Sequence, residues 1–141
     1  MRRIIGFFIL SSYLLTGAVW AQSPTSLLDK LSQSQSASAS AGLIAQIWTR
    51  WTGAATDDKQ QRLMQVGVSE MQGGRYTQAE QTFDALIALN PDFMEAWNKR
   101  ATVRYVLGDL NGSQDDINQV LAREPRHFGA LSGLGLINMQ R

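Results

Sequence analysis

The sequence predicts an all-α protein built as a solenoid of helix-turn-helix repeats. Residues 60–93 and 94–127 carry similar residue types in the same order, which gives a period of about 34 residues. Apolar residues within each block recur at helical spacing. A glycine lies near the middle of each block and a proline near its end, where they separate one helix from the next. Such units stack, because no single helix can bury its apolar face alone.

The composition is that of a folded protein of modest size. The 141 residues allow one domain and a targeting segment, and 44% of them are hydrophobic against 18% charged. The chain has no cysteine, which excludes disulfides, thiolate metal sites and a cysteine nucleophile. A single histidine disfavours most metal and general-base sites, and a formal charge of +1 gives no reason to expect nucleic acid as a partner.

Residues 1–21 have the layout of a secretory signal peptide. Arg2 and Arg3 precede an apolar run that reaches Val19, and the residues at the minus-three and minus-one positions are small for a cut after Ala21. Cleavage there removes both arginines, which lowers the formal charge from +1 to about −1. We therefore expect the chain in the periplasm of a Gram-negative bacterium, or secreted.

Two other interpretations of this segment compete with simple cleavage. The arginine pair could direct the chain to the twin-arginine route, although the polar context of that motif is missing. The apolar run also approaches the ~17 residues of the shortest spanning helices, so it could remain as an uncleaved anchor. The protein would then be tethered at the inner membrane, and only in that case do we expect a membrane contact.

The stretch before the repeats divides into a linker and a helix. Residues 22–40 are rich in serine, glutamine and alanine, and we predict a flexible linker that contains one short helix. Residues 41–56 are predicted to form an N-terminal capping helix, because Ile44, Trp48 and Trp51 share one helix face. We expect the two tryptophans to pack on the first repeat; the alternative is an aromatic platform for a ligand.

The two blocks share anchor residues at matching positions. The pairs are Leu63 and Trp97, Gly67 and Ala101, Gly74 and Gly108, Ala79 and Ser113, Phe83 and Ile117, and Pro91 and Pro125. This pattern closely resembles the tetratricopeptide repeat over about half of the chain. The resemblance implies a right-handed α–α superhelix with one repeat at residues 60–93, a second at 94–127, and the first helix of a third at 128–141.

The shared anchors have mechanical roles in packing the repeats. These repeat-packing residues are Gly67, Ala79, Phe83, Pro91, Trp97, Ala101, Ser113, Ile117 and Pro125. We expect the small ones where the two helices of a unit cross, the large ones beside that crossing, and the prolines between units. Arg100 and Arg104 depart from the family pattern, and we expect them at the edge with their stems over apolar surface.

The resemblance also implies where a partner binds, because the first helix of each unit lines a concave face that holds peptides or protein segments in this family. The implied groove positions are Met64, Val68 and Met71 in the first unit, Glu95, Asn98, Thr102 and Tyr105 in the second, and Ser132, Leu136 and Met139 in the third. Methionines give an adaptable apolar lining, across which a helix or an extended segment could lie. The alternative is that these are only surface residues of a short solenoid.

Residues 128–141 are predicted to form an apolar helix whose Leu131, Leu134 and Leu136 lack a cover. A terminal helix of a solenoid normally has a polar outer face. Either the reading frame is shorter than that of its relatives, or this helix meets a partner or a second copy of the chain. We therefore include self-association through this helix among the predicted contacts.

No catalytic, metal or cofactor site is predicted. Gly129 and Gly133 have no strand before them and no lysine after them, so we interpret them as helix-packing residues and not as a phosphate loop. His127 is interpreted as a loop or cap residue, and Asp115 and Asp116 as charges near a helix start. The sequence thus predicts a non-enzymatic protein-interaction module without cofactors, whose partner is a protein or peptide.

Overall fold

A computed structural model describes residues 24–55 and 57–141 of the chain. Within these ranges every regular element is a helix, and the helices are α1 (Pro24–Ser32), α2 (Ala37–Thr52), α3 (Asp58–Gln72), α4 (Tyr76–Leu89), α5 (Met94–Leu107), α6 (Leu110–Arg123) and α7 (Phe128–Gln140). The prediction of an all-α repeat solenoid is confirmed. The predicted signal peptide, residues 1–21, lies outside the described residues.

Helices α1 and α2 form a hairpin that precedes the repeats. Helix α2 begins after Ser36, whose hydroxyl accepts from the Ala39 amide, and ends at Thr52, with Gly53 at the C-cap position. A small apolar cluster holds the two helices together, formed by Leu27, Leu28, Ile47 and Trp51. Part of the predicted linker is therefore helical, and α2 spans Ala37–Thr52 where a capping helix over 41–56 was expected.

Helices α3 and α4 form the first unit, and α5 and α6 form the second. Where α3 crosses α4, a Cβ added to Gly67 would lie 2.6 Å from Cε1 of Phe83, so only glycine allows this approach. Where α5 crosses α6, the Ser113 hydroxyl donates to the carbonyl of Ala101 at 2.8 Å. The helices of both units therefore cross at small residues.

Each unit turns at a glycine with a positive φ. Gly74 has a φ of 71° and Gly108 a φ of 86°, a backbone region that other residues enter at a cost. Between units, α4 ends at Leu89, shortly before Pro91, and α5 begins at Met94. The turn and the break recur in the second unit, which gives the solenoid its period.

Buried side chains join each unit to the next one along the row. One core cluster combines Phe83 and Leu86 of α4 with Ala96 and Val103 of α5. A second combines Ile117 and Val120 of α6 with Ala130 and Ile137 of α7. Each unit thus packs on its sequence neighbour, as in other repeat proteins.

Arg100 and Arg104 lie in an ionic cluster that connects the two units, so the expectation that they lie at the edge is wrong. Both guanidiniums contact the buried carboxylate of Asp116 on α6, at 2.7 Å from Arg100 and 3.1 Å from Arg104. Each also reaches back to α4, where Arg100 pairs with Asp84 and Arg104 with Glu80. The cluster therefore bridges the first unit and both helices of the second.

Burial lowers the pKa of the Arg100 guanidinium, but the hydrogen bonds and charges of Asp116 and Asp84 outweigh burial, so the pKa lies above its ordinary value. Asp116 is buried in the second turn of α6. Its role is therefore to neutralise two arginines, and the interpretation of Asp116 as a charge at a helix start is wrong. The neighbouring Asp115 is exposed.

Over residues 24–55 and 57–141, no helix has the length and apolar character needed to cross a membrane.

Candidate protein-binding groove

The first helices of the units, α3, α5 and α7, lie side by side, and α5 contacts both of the others. We call the side that carries the predicted groove positions the groove face. The structure divides this face into two halves. In the covered half, towards the N-terminal ends of the three helices, α2 packs on the starts of α5 and α7 and lies beside α3. The half towards their C-terminal ends is open.

The open half carries most of the groove residues predicted from the sequence. Its residues are Val68, Met71, Thr102, Tyr105, Leu136 and Met139; Thr102, Leu136 and Met139 are exposed, and the other three are half-buried. Leu136 is 46% exposed and Met139 is 85% exposed. The open half is therefore mainly apolar, with the hydroxyls of Thr102 and Tyr105 along α5.

A small cavity of about 50 Å³ lies between α5 and α7 at the border of the two halves. Its lining is formed by Asn98, Ala101, Thr102, Tyr105, Ser113, Ile117, Gly129, Gly133 and Leu136. The volume suits one small side-chain group, since a single water needs at least about 10–15 Å³ on this measure. Gly129 and Gly133 contribute only backbone atoms to this lining.

Three of the remaining predicted positions, Met64, Glu95 and Asn98, lie in the covered half, whereas Ser132 is exposed. Met64 and Asn98 are only 7% and 6% exposed, so the structure does not present them as free groove contacts. Met64 shares a surface pocket with Thr49 and Thr52 of α2, which places α2 beside the first unit. Whether any groove residue binds a partner stays a prediction.

Trp48 of α2 extends the cover over the second and third units. A Cβ added to Gly129 would lie 2.9 Å from Cη2 of Trp48, so the indole rests where α7 has no side chain. The Lys99 ammonium of α5 lies 5.3 Å from the centre of the indole ring, within the range of a cation–π contact. Phe128 meets Trp48 edge to face at 5.0 Å.

Trp51 completes this aromatic cluster, which we define as Trp48, Trp51, His127 and Phe128. The rings of Trp51 and His127 stack with centres 3.9 Å apart. The expectation that both tryptophans pack on the first repeat is therefore wrong, because their ring contacts are with the start of α7. The two rings share a face of α2, but that face meets the far end of the row of units.

His127 is a fully buried cap of α7, and the interpretation of this residue as a cap is confirmed. Its Nδ1 accepts from the amide of Ala130 at 3.1 Å, so the ring proton lies on Nε2. Nε2 is 3.3 Å from a carboxylate oxygen of Glu95 and can donate to it. Sequence reasoning missed this pair, because Glu95 was expected to face the groove and is instead fully buried.

Glu95 has all of its observed partners on the repeats. Besides His127, it accepts from Nδ2 of Asn98 at 3.0 Å and pairs with the Lys99 ammonium at 3.1 Å. The burial of His127 could have been recognised from the period, since His127 occupies the position that Phe93 has one unit earlier. Both residues stand at the N-cap position of the first helix of a unit and both are buried, although only His127 caps its helix with a side-chain hydrogen bond.

The glycines of α7 have different surroundings. A Cβ on Gly133 would lie 3.1 Å from Cδ1 of Ile117, so Gly133 lies where α7 packs on α6. Gly135 has nothing within 4 Å of such a Cβ. The leucines expected to lack a cover differ as well, since Leu131 and Leu136 are 46% exposed while Leu134 packs on the core.

The structure is that of a helical-repeat protein. Its helices form pairs in one row, the helices of a pair cross at small residues, and a groove runs along the first helix of each pair. Residues 67–111 match the model of the tetratricopeptide repeat family. The repeat region of this chain belongs to the tetratricopeptide repeat family, as its anchor residues had indicated. Such repeats generally act as non-catalytic protein-interaction modules.

Two curated proteins are similar to part of this chain. A TPR repeat-containing protein of Rhizobium etli is 47% identical over 75 residues, which cover 53% of this chain and 37% of that protein. The RNA polymerase II-associated protein 3 of Xenopus tropicalis is 33% identical over 66 residues, 47% of this chain and 10% of that protein. The matched region thus spans well under half of either relative. No solved structure matches the chain.

Proposed function

We propose that this chain is a non-catalytic interaction module of the bacterial periplasm that binds a protein segment in its groove. The observation that carries the proposal is the open half of the groove face, where apolar side chains of three consecutive units remain at least partly exposed. Met71, Tyr105 and Leu136 mark this strip on α3, α5 and α7. A strip of this kind suits a helix or an extended segment that crosses the units.

The lining gives such a segment both apolar and polar contacts. Met71 and Met139 can adapt to different partners, because their side chains are flexible and polarisable. The cavity between α5 and α7 can receive one small side-chain group of the partner. The Thr102 hydroxyl already donates to the carbonyl of Asn98, which leaves its oxygen free to accept from a partner amide.

The groove is tested by capture of crosslinked partners from periplasm with the wild-type chain and two variants. Met71→Asp and Tyr105→Asp place a carboxylate in the open half, where burying it against an apolar segment is costly. Both should lose the captured protein. Leu89→Asp is the matched control, because Leu89 is an exposed apolar residue on α4, away from the groove. Equal capture by all four chains, with unchanged helical content, contradicts the proposal.

The periplasmic location rests on the layout of residues 1–21. Removal of this segment after Ala21 releases a chain that starts at Gln22, whereas an uncleaved segment tethers the groove at the inner membrane as an assembly factor. Mass spectrometry of the N-terminus of the protein from cells separates these two cases. A mass that includes residues 1–21 favours the tethered alternative.

Self-association through α7 is a second proposal, which the exposure of Leu131, Leu136 and Met139 favours. Exposed apolar patches often mark contacts with other proteins. Light scattering on residues 22–141 should then show a dimer, and Leu131→Lys should return it to a monomer. A wild-type monomer that binds no hydrophobic dye contradicts this proposal.

A further inference from the structure

We propose that α2 is a resident ligand of the groove and that its competitor is an amphipathic helix of another protein with two aromatic residues three positions apart. This inference rests on the proposed function, since it names the chemistry of a partner for the same groove. Helix α2 itself shows which features fit the covered half, because Trp48 and Trp51 have this spacing and make the ring contacts.

The covered half has a preformed binding site for the first aromatic ring, and we call this site the seat. Gly129 leaves room for the indole of Trp48, Phe128 meets it edge to face, and Lys99 lies over its face. The second ring stacks flat on the imidazole of His127. Aromatic contacts of these geometries, together with a cation over a ring, stabilise more than apolar burial alone does.

The groove keeps its polar groups paired when α2 leaves. The buried carboxylate of Glu95 is contacted by His127, Asn98 and Lys99, and all four residues belong to the repeats. Nδ1 of His127 is likewise occupied by an amide of α7. Release of α2 therefore exposes aromatic surface but breaks none of these hydrogen bonds, so a competitor needs to supply only rings and apolar area.

The hairpin is also held to the repeats less extensively than the units are held to each other. Helices α4, α5, α6 and α7 are joined by buried apolar clusters that cross the unit boundaries. Helix α1 has backbone contacts with α2 alone among the described helices. Asp29 of α1 forms an ion pair with Arg126, but both side chains are about half exposed, and such pairs contribute little.

The test measures binding of a fluorescent peptide with the sequence of residues 37–52. The double variant Trp48→Ala/Trp51→Ala of the mature chain empties the seat, so it should bind the peptide at least ~10-fold more tightly than the wild type, where tethered α2 competes. Ile44→Ala is the control, because Ile44 is an apolar residue of α2 outside the aromatic cluster. It should bind as weakly as the wild type.

Three results would overturn the proposal. The first is equal peptide binding by all three chains while the double variant keeps its helical circular dichroism. The second is equal binding of a peptide that lacks both tryptophans. The third is a wild-type dimer that exchanges α2, since this assigns the seat to a second copy. If the double variant does not fold, Trp48→Ala alone is used, and a smaller gain in affinity is expected.

The outcome is separable from that of the proposed function. Tyr105→Asp lies in the open half, so combined with Trp48→Ala/Trp51→Ala it should leave peptide affinity unchanged within about twofold. Gly129→Ala in the same background should abolish it, because the new Cβ occupies the seat of the first ring. Periplasmic capture that Tyr105→Asp leaves unchanged, together with the expected gain in peptide binding, contradicts only the open-half proposal. Loss of capture in Tyr105→Asp without that gain in peptide binding contradicts only this one.

Discussion

Replacement of Asp116 by asparagine removes the central negative charge of the ionic cluster at nearly constant size. The carboxylate accepts from Nε and Nη2 of Arg100 at 2.9 and 2.7 Å, and Nη1 of Arg104 lies 3.2 and 3.1 Å from its two oxygens. An asparagine offers one accepting oxygen, while its amide nitrogen can only donate. One side of the substituted residue therefore places donors against donors.

The expected loss follows from the burial of the three side chains. Asp116 is 2% exposed, whereas Arg100 and Arg104 are 12% and 21% exposed. Breaking a fully buried pair costs roughly 3–5 kcal/mol. Here the arginines keep some contact with water and their bonds to Asp84 and Glu80, so we expect a loss of about 2–3 kcal/mol.

Urea unfolding followed by far-ultraviolet circular dichroism measures this loss. The slope of the free energy of unfolding against urea concentration should be the same in wild type and variant, which checks that both expose a similar surface on unfolding. The melting temperature should fall by about 10 °C, at about 4 °C per kcal/mol for a domain of this size. Asp115→Asn is the matched control, because the neighbouring carboxylate is exposed. Its effect should stay below about 0.5 kcal/mol.

A double-mutant cycle with Arg100→Gln provides the refutation. If Asp116 acts through the arginine, the two substitutions should be coupled by about 1 kcal/mol or more. Strictly additive losses, or equal losses in Asp116→Asn and Asp115→Asn, would show that the cluster does not stabilise the junction of the units.

Three further substitutions test the packing described above, each by urea unfolding. Gly67→Ala should destabilise the protein by about 1–3 kcal/mol, because the new Cβ meets the ring of Phe83. Gly42→Ala is the control and should stabilise by up to about 1 kcal/mol, because Gly42 lies in α2 with open space around it. Equal effects of the two substitutions would contradict the crossing geometry. Gly108→Ala should cost about 1–2 kcal/mol because of its φ of 86°, and asparagine should be better tolerated there; no loss would indicate that the turn relaxes. His127→Ala should cost about 2 kcal/mol through the lost helix cap and ring stack, and should change the near-ultraviolet tryptophan signal; His127→Asn should recover only the part due to the cap.

The repeats were predictable because their determinants are local and occur twice. Helix α3 begins at Asp58 after Asp57, whose side chain accepts from the amide of Gln60, a cap that involves only residues close in sequence. Gly67 and Phe83 indicated a close crossing since a small and a large residue recur one period later. Patterns of this kind report backbone geometry directly, so a single sequence suffices.

The position of α2 could not be predicted, because helical spacing shows that Trp48 and Trp51 share a face but not what that face meets. The partner of this face, His127, lies at the other end of the repeats. Contacts so distant in sequence depend on how the units stack, and periodicity carries no information about that.

The ionic cluster left a signal that a comparison of the two units could have found. Glu70 and Arg104 occupy the same position in their units, and so do Thr82 and Asp116. In the first unit the Thr82 hydroxyl donates to Glu70 at 2.7 Å, and in the second Arg104 pairs with Asp116. The hydrogen-bond donor lies on the second helix in the first unit and on the first helix in the second unit, while the same two positions remain paired. When each position is considered alone, an arginine shows a departure from the family pattern but not the residue with which it is paired.

The short connection between α2 and α3 sets a minimum affinity that any ligand of the covered half needs in order to replace α2. A helix held by so short a connection experiences a local concentration on the order of millimolar. A free helix at micromolar concentration must therefore bind about 10³-fold more tightly, an advantage of about 4 kcal/mol, to take its place. Contacts with the uncovered strip beside Met71, Tyr105 and Leu136 are the available source of that advantage. The groove would then discriminate by length, rejecting short segments and admitting those that span both halves.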